Sequence, residues 1–502
     1  MMRIERRPGS YAALLWIGAA LSVSVAAQGQ IPVQEYAQRR EALSRLAGDG
    51  AVVVLGAGEP LRDHETFSPA PHLRYLTGWA EPNAALLLIT QGGMQRATLF
   101  LSERNASQEV WTGPRPSLVD AARMSGLPTR DISELIRTCD SVLVTKAPMK
   151  VIGEFRGQYA PMGQAVTGDK AFIDDLQQRH ADASITDANR LARQLRATKS
   201  SAEVGLLQTA IDITVRAHEE TMRMAAPGWN EFEVQALVEY VFRRNGADRP
   251  GFTSIAGSGD NATTLHYWQN DRVVAAGELM VLDIGASYGG YSADVTRTLP
   301  IGGRFSSDQR AIYELVRAAQ VAAEDVMRVG AEPNAPDVAA ATALARGLTT
   351  LGLMEAPDAM YDCDATGQRL CPQLRLFYMH GLGHGIGLEV HDPDVSDGVT
   401  WTAGSVVTIE PGVYVRRNLS EVLADTPRNR ALLARIQPAL ARFAGIGVRI
   451  EDDYLLTAAG LDWLSRLPRE ASEVEAAMRA PRATAPRPRD AALVARYRRG
   501  LQ

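Results

Sequence analysis

The stretch Glu278-Leu-Met-Val-Leu-Asp283-Ile-Gly-Ala-Ser-Tyr288-Gly289-Gly290-Tyr-Ser-Ala-Asp294-Val-Thr-Arg-Thr298 decides the fold. An apolar run enters Asp283, a glycine-rich turn follows, and a second β-type run begins around Asp294. Such a pattern reads as a β-hairpin. A turn centred between Tyr288 and Gly289 sets Asp283 directly across from Asp294, and a two-residue register shift keeps both on one face. Cross-strand neighbours have Cβ atoms roughly 4.5–5.5 Å apart. Two carboxylates that close repel, and one stays protonated unless a cation lies between them. A pair of metal ions about 3.5–4 Å apart fits that spacing. The competing reading of this stretch alone is two polar positions on a solvated hairpin face.

A chain of 502 residues exceeds what one core organises, so two large domains are expected. Hydrophobic content of 46% and charged content of 22% are those of an ordinary globular protein. A net charge of −5, with no basic patch interleaved with aromatics, points away from nucleic acid. Residues 1–27 read as a secretory signal: Arg3, Arg6 and Arg7 precede an apolar run from Tyr11 to Val25, and Val25-Ala26-Ala27 offers a cleavage point. The run is short for a membrane span, and no other stretch is apolar enough for one. A periplasmic or secreted destination is therefore expected, with no stable membrane span after signal cleavage.

Export permits a disulfide, and Cys363 and Cys371 flank a turn-rich loop, so these two are expected to bridge while Cys139 stays free and buried. Their spacing, without a second pair, is poor evidence for zinc.

Residues 34–190 read as an N-terminal α/β domain. Tyr36 to Leu46 has a helical pattern. Ala51–Leu55, Ala84–Thr90, Ala97–Leu101 and Ser141–Thr145 read as strands. A boundary falls near Asn189 to Ser201. Ser200 or Ser201 then caps a helix reaching Met224, and Asn230 with Glu233 forms a capping box for a second helix to Asn245.

Further motifs lie downstream: Ser254 to Asn261 leading into Leu265-His266-Tyr267; His380-Gly-Leu-Gly-His384 to His391-Asp392; Val406-Val-Thr-Ile-Glu410-Pro-Gly-Val-Tyr414; and Gly447-Val-Arg449-Ile-Glu451-Asp-Asp453. Glu410 and Glu451 each close an apolar strand-like run, where a carboxylate is costly unless paired. For Glu451 an ion pair with Arg449, two residues earlier on one strand face, is the competing reading. Three of the eight histidines fall within residues 380–391 amid four glycines, a density that lets backbone approach a site closely.

With the aspartate hairpin, these segments resemble the pita-bread metallopeptidases, and aminopeptidase P most closely, over roughly residues 34–465. His72-Leu-Arg-Tyr-Leu-Thr-Gly-Trp79 with Glu81-Pro82, and Glu109-Val-Trp111-Thr-Gly-Pro-Arg115, resemble the N-terminal domain of aminopeptidase P and creatinase-type enzymes. For Trp79 and Trp111 the competing reading is plain packing. The resemblance implies an α/β (α+β) fold class, with a creatinase-like N-terminal α/β domain and a pita-bread catalytic domain at 199–467. It implies two divalent metal ions on Asp283, Asp294, His384, Glu410 and Glu451, most simply Mn²⁺, with Co²⁺ or Zn²⁺ acceptable to such a donor set. It also implies His266, His391, Glu410 and Arg449 as catalytic groups, Glu410 serving as proton shuttle. His380 is implied as a flanking pocket residue. The implied activity is release of an N-terminal residue preceding proline in peptides, by a homo-oligomer (dimer or tetramer) in which the N-terminal domain overhangs a neighbour's site.

Three alternatives stay open. A prolidase, cleaving only Xaa-Pro dipeptides, is favoured by the His380–His391 segment. A creatinase-like hydrolase lacks the full ligand set. A metal-free pita-bread binding module is expected to have lost several of the five ligands. Phe252 stands where the family often has tyrosine. An insertion from Arg416 to Phe443, helical over Asn429–Phe443, is expected beside the site mouth, on a neighbour, or as a plain surface helix. Residues 468–502, rich in Ala, Arg, Pro and Glu, read as a mostly disordered tail.

Overall fold

The structure is a computed structural model that describes residues 31–60, 66–156, 158–160, 163–165, 167–398 and 400–488. The expected signal at 1–27 lies outside the described residues.

The N-terminal sheet has six strands in the order Thr129–Asp131, Met94–Leu101, Ala84–Gln91, Gly50–Leu55, Met149–Ile152, Ile185–Asp187. The three central strands of the first four pair antiparallel, with Gly50 opposite Thr90, and the outer strands join parallel. Alternate residues along a strand face opposite sides. Ala51, Val53 and Leu55 accordingly pack with Leu135, Cys139, Leu143, Ile173 and Leu176, whereas Val52 and Val54 join the large core shared with the C-terminal domain. The expected strand at Ser141–Thr145 is corrected: helix Leu135–Leu143 occupies most of it, and the strand is Met149–Ile152. Leu135, Cys139 and Leu143 recur every four residues, a helix face turned onto the sheet, and this period overrides the short apolar alternation.

Polar ties lock the two domains. Arg39 lies 3.0 Å from Glu203, Arg74 Nη2 donates to Gly289 O at 2.7 Å, and Arg196 bonds Asp392 and Glu389 at 2.5 and 2.6 Å. Glu203 also closes a capping box with Ser200 at the start of helix Ser201–Met224, and Asn230 and Glu233 do the same for helix Glu231–Arg244. The box at Asn230 matches the expectation, and of the two serines expected as the other cap, Ser200 is the one that serves.

In the C-terminal domain, strand Leu279–Ile284 pairs with Ile255–Ser258 on one side and Val295–Pro300 on the other. A second sheet orders Val406–Ile409, Asp452–Thr457 and Gly460–Trp463, and Gly412–Tyr414 pairs with Gly447–Arg449. A bridge between Thr296 and Glu451 stitches the two halves together.

The hairpin register differs from the expected one. Tyr288 pairs with Tyr291 and Asp283 with Thr296, so the turn is centred on Gly289 and Gly290, and Asp294 sits diagonally from Asp283 on the same face. A two-residue turn with positive φ at both centres demands residues without a Cβ penalty. Gly289 and Gly290 have φ of 58° and 86°, values that Tyr288 would resist.

Two more expectations change. Residues 471–479 form a helix whose Ala471, Val474 and Met478 are buried, so the chain after Leu467 is not a wholly disordered tail. The insertion's helix, Pro427–Phe443, buries Leu432, Ile436 and Phe443 against its own chain, so it is more than a plain surface helix. It seats on the hairpin Met360–Asp362/Leu370–Pro372, where Asn429 exchanges hydrogen bonds with the Asp362 backbone. Cys363 and Cys371 are bridged across that hairpin, and Cys139 is free and buried.

Candidate metal centre

The five acidic and imidazole positions singled out in the sequence come together where the two halves meet. Asp283 closes strand Leu279–Ile284, and Asp294 follows the short strand Tyr291–Ser292. Between them the chain passes through Gly285, where a Cβ would lie 1.8 Å from the Ala293 carbonyl oxygen. Only glycine permits this approach, which holds Asp294 over Asp283. The Asp294 amide donates to Asp453 Oδ2 at 3.2 Å.

His384 is oriented from both ends. Its backbone N–H donates to Thr408 Oγ1 at 3.1 Å, and Nδ1 lies 3.1 Å from Gly385 O. A carbonyl accepts only, so Nδ1 carries the proton and Nε2 keeps its lone pair. Nε2 lies 3.5 Å from Asp294 Oδ2 and 3.4 Å from Glu410 Oε1. Burial, with His391 nearby, lowers the His384 pKa to about 4, so the ring is neutral at pH 7. Glu451, 1% exposed, accepts from Thr296 Oγ1 at 2.6 Å. Asp294, His384 and Glu451 each present a donor atom within 4.8 Å of the others'.

The charge balance is unfavourable as it stands. Burial raises Asp294 and Glu451 well above the usual carboxylate range, and neighbouring acids add to the effect. Burial also lifts Glu410 to about 8, with Arg449 opposing and Asp283 adding. Among the described residues Arg449 is the one arginine or lysine in this cavity wall. It is engaged with Asp283 Oδ2 at 2.5 Å and Tyr414 Oη at 2.9 Å. The ion pair considered for Glu451 is thus made to Asp283 instead. Among the described residues Asp283 Oδ1 and Asp294 Oδ1 are buried without a hydrogen-bond partner. Buried oxygens that accept nothing, beside mutually repelling carboxylates and a neutral imidazole, fit hard divalent cations.

Around this cluster lies a cavity of about 530 Å³. Phe252, Ile255, Leu265, Trp268 and Val390 give it an apolar wall. His266 and His391 stand exposed at its edge, the His391 ring 4.2 Å from that of His384. His380 Nε2 is 2.8 Å from Tyr414 Oη, and burial lowers its pKa to about 3. Sequence reasoning missed the supporting hydroxyls. Thr296 lies two residues after Asp294, and Thr408 two before Glu410, so strand alternation places both on the carboxylate face. Asp453 and Tyr414 were within quoted motifs but had been given no task.

Two family models match the chain: Metallopeptidase family M24 over residues 205–458, and the Aminopeptidase P, N-terminal domain over 36–151. The Xaa-Pro aminopeptidase of Haemophilus influenzae is 30% identical over 463 residues, spanning 90% of this chain and 99% of that protein. A human Xaa-Pro dipeptidase is 28% identical, spanning 86% and 89%. The solved structure of aminopeptidase P from Escherichia coli superposes with a TM-score of 0.76 at 28% identity, covering 90% of this chain and 99% of that one. Together with the two-domain fold and the acidic, imidazole-bearing cavity, these matches place the chain in metallopeptidase family M24, as an aminopeptidase P-like pita-bread enzyme: a metal-dependent hydrolase that acts on peptides as an exopeptidase.

Proposed function

We propose that the chain removes the N-terminal residue from peptides whose second residue is proline. In this reading it uses two divalent ions held by Asp283, Asp294, His384, Glu410 and Glu451. The single observation that carries the reading is the convergence of Asp294, His384 and Glu451 on one point, beside the orphaned oxygens of Asp283 and Asp294, at the floor of a cavity with an apolar wall. Mn²⁺ is the first choice for four carboxylates and one imidazole.

Bound ions would supply a hydroxide near neutral pH and polarise the scissile carbonyl. The chain's residues do the rest. The apolar wall takes the proline ring and the first side chain. His266 and His391 donate to the oxygen that gains charge. Glu410 is the proton shuttle and delivers a proton to the proline nitrogen, which must be protonated to leave. Arg449 fixes Asp283 Oδ2 and so keeps that carboxylate's other oxygen turned to the site.

The prolidase reading draws on the His380–His391 segment and the dipeptidase relative. A dipeptidase must grip a free carboxylate beside the proline. Among the described residues the only arginine or lysine in the cavity wall, Arg449, is already committed to Asp283 and Tyr414. The metal-free module is disfavoured because all five ligand positions are filled by metal-binding side chains. Activity in the periplasm or outside the cell, as a homo-oligomer, completes the proposal. Among the described residues no helix is long and apolar enough to cross a membrane.

The deciding assay follows release of the first residue from Xaa-Pro-Yaa tripeptides and Xaa-Pro dipeptides by the purified protein with Mn²⁺. Tripeptide cleavage is expected. Cleavage of dipeptides alone would overturn the proposal in favour of prolidase.

A further inference from the structure

A second chamber adjoins the metal cavity. Its volume is about 660 Å³, within the range of ligand pockets. Val390 and His391 stand in the walls of both chambers, and the consecutive residues Gly251 and Phe252 line one each. The N-terminal segment Thr66 to Pro71 closes its far side, so both domains build it.

The two chambers are lined differently. The metal cavity gathers four carboxylates and one guanidinium group, whereas two guanidinium groups, Arg74 and Arg249, line the second beside the acids Asp248 and Glu389. Among the described residues neither arginine has an ion-pair partner. Arg74 Nη2 donates to Gly289 O at 2.7 Å, and Arg249 Nη1 donates to Pro250 O and Gly251 O at 2.9 and 3.2 Å, so each spends its bonds on backbone and keeps donors in hand. The acids nearby are occupied. Asp248 accepts the Gly290 amide at 3.0 Å, and Glu389 bonds Arg196 at 2.6 Å. Burial lowers the Arg249 pKa, Asp248 offsets part of this, and Arg74 adds its repulsion. In the same wall the hydroxyls of Ser287 and Ser292, 0% and 1% exposed, have no hydrogen-bond partner among the described residues. Two like charges and two idle buried hydroxyls facing one polar chamber call for an anion that accepts several hydrogen bonds, and a carboxylate in a guanidinium fork satisfies that demand.

We propose that this chamber is the far end of the substrate groove, where Arg74 and Arg249, with Ser287 and Ser292, hold the C-terminal carboxylate of a peptide whose N-terminal end lies at the metal cavity. The reading rests on the aminopeptidase assignment and deepens it. A peptide that extends past the proline ends in a carboxylate, the group that a pair of guanidinium side chains recognises. The arrangement makes the enzyme a trimmer of short free peptides that extend past the proline, and it reads their length from the chain end.

The test uses a series of Xaa-Pro peptides of three to six residues, each as free acid and as C-terminal amide. The full-length Mn²⁺ enzyme is expected to cleave the free acid at least tenfold better in kcat/KM at the favoured length, through KM. Arg249→Gln is expected to bring the acid-to-amide ratio to about one, and Arg249→Lys to keep most of it. Amides ending in glutamate separate a side-chain carboxylate from the chain end, and only the chain end should count. Isothermal titration of the same peptides to the Asp294→Asn protein gives a readout without chemistry: acids should bind about tenfold tighter than amides, and Arg249→Gln should abolish the difference. A ratio near one at every length in the unaltered enzyme, or a preference that survives Arg249→Gln combined with Arg74→Gln, overturns the proposal. If neither acids nor amides are cleaved while the binding preference persists, the assigned activity fails and the chamber's role stands.

Discussion

Arg297 and Asp452 form an ion pair 2.6 Å apart with both side chains fully buried, one residue along from Thr296 and Glu451, whose side chains meet on the opposite face of the same strands. The metal face and the bracing face therefore alternate along one bridge. Arg297 also donates to the backbone oxygens of Thr296, Glu451, Leu467 and Pro468. Removing it leaves the fully buried Asp452 with Arg469, 3.5 Å away, as its remaining cation. Arg297→Ala is expected to cost about 3–5 kcal/mol, read as a lowered urea midpoint. The double change Arg297→Met with Asp452→Leu should cost less than Arg297→Ala alone, because it strands no charge.

Loss of metal should destabilise the protein most at neutral to alkaline pH. Asp294, Glu410 and Glu451 have raised pKa values when no cation is present, so at pH 8 the metal-free site carries charges that repel, whereas at pH 6 protons relieve them. Thermal melts with and without chelator should show a larger gap at pH 8 than at pH 6, and excess Mn²⁺ should close it. Saturation at 100 times Kd contributes about 2.7 kcal/mol. Equal gaps at both pH values would contradict the like-charge account of this site.

Substitutions at ligands and at their supports should separate by size. Thr296→Val removes the donor that fixes Glu451 and is expected to lower activity by roughly 10–100-fold. Asp294→Asn should lower it further and reduce the bound metal. Metal analysis of the Asp294→Asn protein showing two tightly held ions, together with full activity, would sink the ligand assignment.

His218 gives a pH signature away from the site. Its side chain is 0% exposed, Nε2 lies 2.9 Å from Val295 O, and burial lowers its pKa to about 3. The unfolded chain titrates near 6.5. Below that value the unfolded state binds more protons than the folded one, so stability is full above about pH 6.5 and is lost as pH falls toward 3. Urea unfolding between pH 7 and pH 4 should show this decline, by a few kcal/mol at most, and His218→Leu should flatten it. An unchanged slope in that variant would remove His218 as the cause.

The local rules were the legible part of this fold. The capping boxes at Ser200 and Asn230 lie wholly within four residues, so sequence alone exposes them. The carboxylates at 283, 410 and 451 were visible because an apolar run leads into each, where a charge needs a reason, and Asp294 because a glycine-rich turn brings it back toward Asp283. What escaped depends on contacts distant in sequence. Arg449 pairs with Asp283 across 166 positions instead of with Glu451 on its own strand. Helix Leu135–Leu143 draws its stability from the sheet beneath it, and residues 471–479 from the core they cap. The hairpin register was within reach, since only Gly289 and Gly290 tolerate positive φ at both turn centres.

Tyr414 pairs with Gly447, and from there the strands run inward to Glu410 and Glu451. Everything between 415 and 446 leaves and re-enters through this one closed gate. The spacing of the two glutamates is therefore set by the paired strands and is indifferent to how much chain hangs outside. The gate works as a socket: helix Pro427–Phe443 could be exchanged for a short turn or for another small module, at a cost in buried area but with no change in the register of the metal-binding face. Variation in length among chains of this architecture should concentrate there, whereas a single residue gained or lost between Glu451 and Asp453 would turn the centre inside out.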